Sequence, residues 1–267
     1  MDFDFELIAA PFRMQPGLRK LGPDEPQLTP LGTDSALYRE KLAVVQAGGS
    51  RLQVPGFDPA PALAAIAAQA RREGHPAFDP GSLELAFEED FAILDGDTGA
   101  LPWLSVCVPS HWAPEDKLGL PFAAVHAPVA DATTLLAAAP HLVRLATSGD
   151  RWERHVWTVS PSPRHDQHPR RHARTPWPAA ADDTDGFARQ CWFRAERQTF
   201  LPVGQGTRQA VFTIRVMLAP LAEVVDTPAK AARLHDALAS MTPAVLVYKG
   251  LAPAREPLLR WLAGTAA

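Results

Sequence analysis

The chain of 267 residues is long enough to bury a full core in one large domain or two small ones, and its 46% hydrophobic and 21% charged residues are ordinary for a globular protein. A formal charge of -4 offers no basic stripe for nucleic acid, and no apolar run approaches the ~20 residues of a membrane span. Cys107 and Cys191 fall in predicted strands without a pairing pattern, and the acidic start lacks the positive charge of a signal peptide, so a reducing cytoplasm is expected.

Residues 1–36 carry many prolines and little periodicity, and read as an irregular arm pinned to the body by Phe12, Met14 and Leu18. Residues 37–267 are expected to form a single domain. Asp34 is placed to cap a helix over Ala36–Gln46, and Pro61–Arg72 sets Ala62, Leu63, Ile66 and Ala70 on one helical face. Two strands, Phe87–Leu94 and Trp103–Pro109, flank a turn-rich linker at Asp95–Gly99. The second is apolar on both faces and is expected at the centre of the sheet. A helical turn opens at Ser110 or Pro114 and closes at Gly119. Beyond it, Phe122–Val129 sets His126 alone among apolar residues. Such a histidine is either a core residue or a metal ligand whose second nitrogen is oriented by an acceptor.

Asp131–Ser148 is the strongest predicted helix, and Arg151–Ser160 alternates as a strand. Residues 161–188 lack a core pattern. His165, Asp166, His168 and His172 have the residue types of a metal cluster without its spacing, so a mobile, solvated loop is expected there. Near the end, Thr227 and Pro228 open a helix reaching Ser240, Val245–Tyr248 is a short strand or helical continuation, and Glu256–Ala263 is a closing helix. The order favours an α+β fold with an antiparallel sheet. No dinucleotide fingerprint, P-loop, zinc-protease word or nucleophile elbow occurs.

The most informative stretch is a hairpin from Gln190 to Pro220 around Gly204-Gln205-Gly206. Alternation puts Trp192, Arg194, Glu196 and Gln198 on one face of its first strand and Phe193, Ala195, Arg197 and Thr199 on the other. In the second strand Val211, Thr213, Arg215 and Met217 share one face, while Ala210, Phe212, Ile214, Val216 and Leu218 form an apolar row expected to face the core. Charged groups among hydrophobic neighbours need partners. Two readings stay open: Arg194, Glu196, Arg197 and Arg215 satisfy one another across the strands, or the arginines hold an anionic ligand.

Three words taken together carry a resemblance: His111–Gly119, Val125–Val129, and Arg194-Ala195-Glu196-Arg197-Gln198-Thr199-Phe200 with Ala210–Arg215. In this order they resemble the haem-dependent oxidative N-demethylase alpha-subunit family, with Pro11–Leu18 also similar, over roughly residues 10–245. The resemblance implies a PAS-like antiparallel sheet flanked by helices, here with the N-terminal arm and extra C-terminal helices, holding haem b. It implies a monooxygenase that takes a methyl group from a small secondary amine, using dioxygen and electrons that reach it from NAD(P)H through a separate flavin reductase, and releasing formaldehyde. Carried onto this chain, His126 is the expected iron ligand, with Arg194, Arg197, Arg215 and Trp112 at the cofactor and Glu196 and Arg197 at the catalytic site. His111, where the family has a smaller residue, is a rival ligand. A non-catalytic haem or small-ligand binding protein, a sensor or scaffold of the same fold, is the alternative function.

Overall fold

A computed structural model describes residues 1–15, 17–179, 182–204 and 206–266. Pro16 of the expected arm and Gln205 of the expected hairpin turn therefore lie outside the described residues. Seven strands form one antiparallel sheet: β1 Arg19–Lys20, β2 Arg51–Gln53, β3 Glu89–Asp95, β4 Trp103–Ser105, β5 Trp152–Ser160, β6 Trp192–Pro202 and β7 Gln209–Pro220. Their order is β1-β5-β6-β7-β3-β4-β2, so the predicted hairpin β6–β7 occupies the middle. The fold is α+β.

Helices cover both faces. They are α1 Ala36–Gln46, α2 Ala60–Arg72, α3 Leu83–Ala86, α4 Phe122–His126, α5 Thr133–Ala146, α6 Thr184–Ala188, α7 Leu221–Val224, α8 Pro228–Ala239, α9 Pro243–Tyr248 and α10 Arg255–Ala266. One face, here the far face, presents Trp157, Phe193, Ala195 and Met217. It packs on Phe5 and Ile8 of the arm and on Leu234, Leu238, Leu258 and Trp261 of α8 and α10. Farther along the same face Phe91, Ile93 and Val211 meet Ala62 and Ile66 of α2. The opposite, near face packs Leu94, Phe200 and Ala210 against Val143 and Ala146 of α5. At its other side Ile214 and Val216 meet Leu37 and Val44 of α1. Burial on both faces explains why β7 has no face written in polar residues.

Several local expectations change. The cap of α1 is Ser35, whose Oγ accepts from Tyr38 N, and not Asp34. Thr227 caps α8 in the expected way, with Pro228 in its first turn. The strand expected at the centre, β4, stands next to last and is short. Its continuation leaves the ladder, with Val106 N bonded to Ser50 O and Val108 N to Asp90 Oδ2. Its apolar character reflects cover on both sides, which this sheet keeps close to its edge.

The segment expected to be a mobile, solvated loop is built into the body. Asp166, Gln167 and His168 are buried. Glu40 of α1 accepts from His165 N and Asp166 N, Arg171 pairs with Asp166, and His168 Nε2 lies 3.0 Å from Glu115. These histidines pair with carboxylates; among the described residues no group of three metal-ligating side chains occurs. No helix of the structure is long and apolar enough to cross a membrane.

Candidate functional site

A cavity of about 600 Å³ opens between the near face and a cover made of α4, α5 and the loops after β4 and β5. That volume falls in the range of small-molecule and cofactor sites. Its floor is read off the strands: Arg154, Val156 and Thr158 of β5, Glu196, Gln198 and Phe200 of β6, and Phe212 and Ile214 of β7. Of the apolar row of β7, expected to face the core, Phe212 and Ile214 join this floor while Ala210 and Val216 pack in the core. The cover brings His111, Trp112, Lys117, Phe122, His126 and Leu142. Past the free edge of β5 the cavity reaches Trp177, Tyr248 and Lys249.

His126 ends α4, whose short apolar turn lays the imidazole against Phe122 with ring centroids 4.0 Å apart. Its Nδ1 lies 2.8 Å from Phe122 O. A carbonyl can only accept, so Nδ1 carries the proton and Nε2 keeps its lone pair. Burial, followed by the nearby charges of Arg154 and Lys117, holds this imidazole below its ordinary range against the opposing pull of the Phe122 carbonyl. The result is a neutral histidine on the cavity wall whose basic nitrogen is uncommitted among the described residues, the state that metal ligation needs.

His111 also lines the cavity, with its backbone at φ 60°, in the left-handed region. Burial, then Arg174 and Arg194, bring its pKa down to about 4. It too is neutral, but no hydrogen bond among the described residues fixes its tautomer.

Arg194 is 2% exposed and spends its guanidinium on neutral acceptors: Nε donates to Ser110 Oγ at 2.8 Å, and the terminal nitrogens donate to Arg164 O and Val108 O, each at 3.2 Å. It thereby holds the loop after β4. Ser110 in turn donates to Glu196 Oε1, while Gln198 Nε2 donates to Glu196 Oε2 at 2.7 Å. Glu196 is thus a carboxylate fixed on the floor with each oxygen singly engaged.

Arg197 and Arg215, expected at the cofactor, are not at the cavity. They are register partners on the far face, where Arg197 Nε meets Glu153 at 2.8 Å and Arg215 Nε meets Glu88 at 2.6 Å. The reason is parity: both have odd numbers on strands whose even positions on β6 and β7 floor the cavity. Trp112 does reach the cavity and packs beside Leu104, Leu118 and Phe212.

Sequence reasoning missed Arg154, Ser110, Arg174 and Lys249. Strand alternation placed Arg154 on the parity of Val156 and Thr158, but nothing local said that this parity faced a cavity. Arg174 and Lys249 come from a loop and from the end of α9, so only tertiary folding brings them in.

The electrostatics are one-sided. Lys117, Arg154, Arg174, Arg194 and Lys249 line the cavity against one carboxylate, Glu196. Lys249 Nζ donates to Trp157 O at 2.7 Å and sits over the rings of Phe12 and Trp157, and burial draws it down to about 8. An apolar chamber with excess positive charge and a neutral, tautomer-fixed imidazole fits haem, which brings an iron, a flat apolar ring and two carboxylates.

Fold and site together define an α+β protein with a cavity whose lining carries more positive than negative side chains. A family model described as haem-dependent oxidative N-demethylase, alpha subunit-like, matches residues 82–259. The chain belongs to that family. The match includes both strands of the central hairpin, His111, His126, Arg154 and Glu196, while the N-terminal arm precedes it.

Proposed function

We propose that the protein binds haem b and removes a methyl group oxidatively from a small secondary amine, releasing formaldehyde. The observation that carries this reading is His126: a neutral imidazole on the cavity wall, its Nδ1 proton committed to Phe122 O. Nε2 would ligate the iron, and the carbonyl bond would fix the ring's orientation and raise its basicity as a ligand. Trp112, Phe200 and Phe212 would enclose the macrocycle and keep water from it. Lys117 and exposed Arg174 would meet its carboxylates.

When bound, haem supplies the oxygen and electron chemistry, with electrons from a separate flavin reductase drawing on NAD(P)H. The chain's own contribution is to bind and orient the amine. Glu196 offers a fixed carboxylate whose remaining lone pairs can accept an ammonium N–H, and Ser110 and Gln198 prevent it from turning away. Arg194 acts through Ser110, as a positioning residue. The apolar floor beyond Glu196 suits the methyl group.

The test is direct. Protein purified with haem supplied should show a Soret band near ~400 nm. With a reductase it should consume dioxygen only when a secondary amine is present and release formaldehyde. Haem binding without amine-dependent oxygen consumption would leave the non-catalytic haem-binding reading; no haem binding would remove the demethylase and leave only a small-ligand binding protein.

A further inference from the structure

A simple dialkylamine offers nothing to a second charged group on the floor, yet there is one beside Glu196. Arg154 stands opposite Gln198 in the β5–β6 register, and Val156 stands opposite Glu196. Arg154 and Glu196 are therefore diagonal neighbours on the near face, a spacing of roughly 7–8 Å that one small ligand can span. The Nε of Arg154 is buried with no hydrogen-bond partner, and its guanidinium makes no ion pair among the described residues. Arg194, by contrast, has three acceptors. Glu196 influences Arg154 only at a distance, so the floor holds a fixed anion and an unmatched cation side by side. Burying a guanidinium without acceptors is unfavourable, and a carboxylate with two oxygens is the group that best matches its fork. Exposed Arg174 and half-buried Lys117 on the cover would remain as separate cations for the macrocycle's carboxylates.

We infer that the amine taken by this chain carries a carboxylate close to its nitrogen, as an N-methylated amino acid does, with Arg154 anchoring the carboxylate and Glu196 receiving the ammonium. The inference rests on the demethylase reading and narrows its substrate class. The carboxylate is a spectator. The N-methyl C–H bond is oxidised with one dioxygen and two electrons from the reductase, plus two protons. One oxygen atom enters the methyl group and the other leaves as water. The resulting N–CH2OH then breaks its C–N bond, the pair returning to nitrogen with the hydroxyl proton, to give the free amino acid and formaldehyde. Both oxidant and reductant are those of the proposed activity.

The experiment compares sarcosine with dimethylamine on haem-loaded protein, by calorimetric titration and by the shift each produces in the Soret band. Sarcosine should bind at least about tenfold more tightly, roughly what one hydrogen bond to a charged group is worth. Arg154→Gln should erase that ratio, Arg154→Lys should restore part of it, and Glu196→Gln should weaken both ligands. Equal or tighter binding of dimethylamine to the unaltered protein overturns the inference while leaving the demethylase reading in place. Loss of haem from Arg154→Gln, with the fold intact by circular dichroism, also overturns it, by making Arg154 a partner of the cofactor's carboxylates. If haem-loaded protein binds neither amine, both readings fall.

Discussion

The two faces of the central hairpin use the same residue types for opposite ends. On the far face Arg197 and Arg19 share buried Glu153, Arg215 has Glu88, and Gln27 reaches across to Thr199, which meets Thr213. Arg197 also donates to Pro26 O at 2.6 Å, so these pairs fasten the N-terminal arm to the sheet. On the near face Arg154 has no ion-pair partner among the described residues, with its Nε unbonded, and Arg194 donates to neutral acceptors. A matched cation is structure; an unmatched one over a cavity is capacity for a ligand. For Arg197 and Arg215 the structural pairing holds, with acids from outside the hairpin, while the anionic-ligand reading passes to the near face as part of the proposal.

The sharpest way to break this contrast is at the cover. His126→Ala should lower haem retention by more than about tenfold, read from the Soret absorbance per folded protein, because no other imidazole on the wall has a fixed tautomer. Unchanged retention would move the ligand to His111. On the far face Glu153→Gln should cost about 3 kcal/mol in urea unfolding, since it takes the acid from largely buried Arg197 while exposed Arg19 keeps Glu25, and haem per folded molecule stays the same. Arg154→Met on the near face should do the reverse and raise the stability of the haem-free protein by about 1 kcal/mol, because it removes a half-buried guanidinium whose buried Nε has no acceptor among the described residues.

Acid should reveal the same asymmetry in smaller steps. Burial holds His126 below its ordinary pKa, so the unfolded chain takes up its proton first and stability falls as pH drops through about 6.5. Glu153 behaves as a second stage: burial pushes it up, but hydrogen bonds from Arg197 and Arg19 outweigh that and hold it low. Its contribution is complete above about pH 5 and is lost below. Glu153→Gln should flatten the lower step of a stability-against-pH curve and leave the upper one.

The smallest effect is expected at Glu89, buried with Oε1 unpartnered and pushed up to about 7 by that burial. Its folded state prefers the proton, so this group's contribution declines as pH rises through 7, and Glu89→Gln should help more at pH 8 than at pH 5. Equal effects at the two pH values would place the unpaired charge elsewhere.

Much of this architecture was legible in local words. The alternation in residues 192–199 and 210–218 assigned every side chain of the hairpin to its face, and the separation of Arg194 from Arg197 held. Thr227-Pro228 fixed the start of α8, and the apolar stretch after Asp131 became α5. Where the reading erred, the missing information lay far along the chain. Residues 161–172 looked solvated because the acids that order them, Glu40 and Glu115, come from α1 and from the turn before α4. Arg197 and Arg215 looked available for a ligand because Glu153 and Glu88 are distant in sequence.

By itself the sequence determined the periodicities, and with them the strands, the long helices, the α+β class and which residues share a face, because these follow from backbone geometry over a few positions. Only the tertiary structure decided which face covers a cavity and which cations meet an acid there. That outcome depends on what packs on each side of the sheet, and residues more than a hundred positions apart supply it.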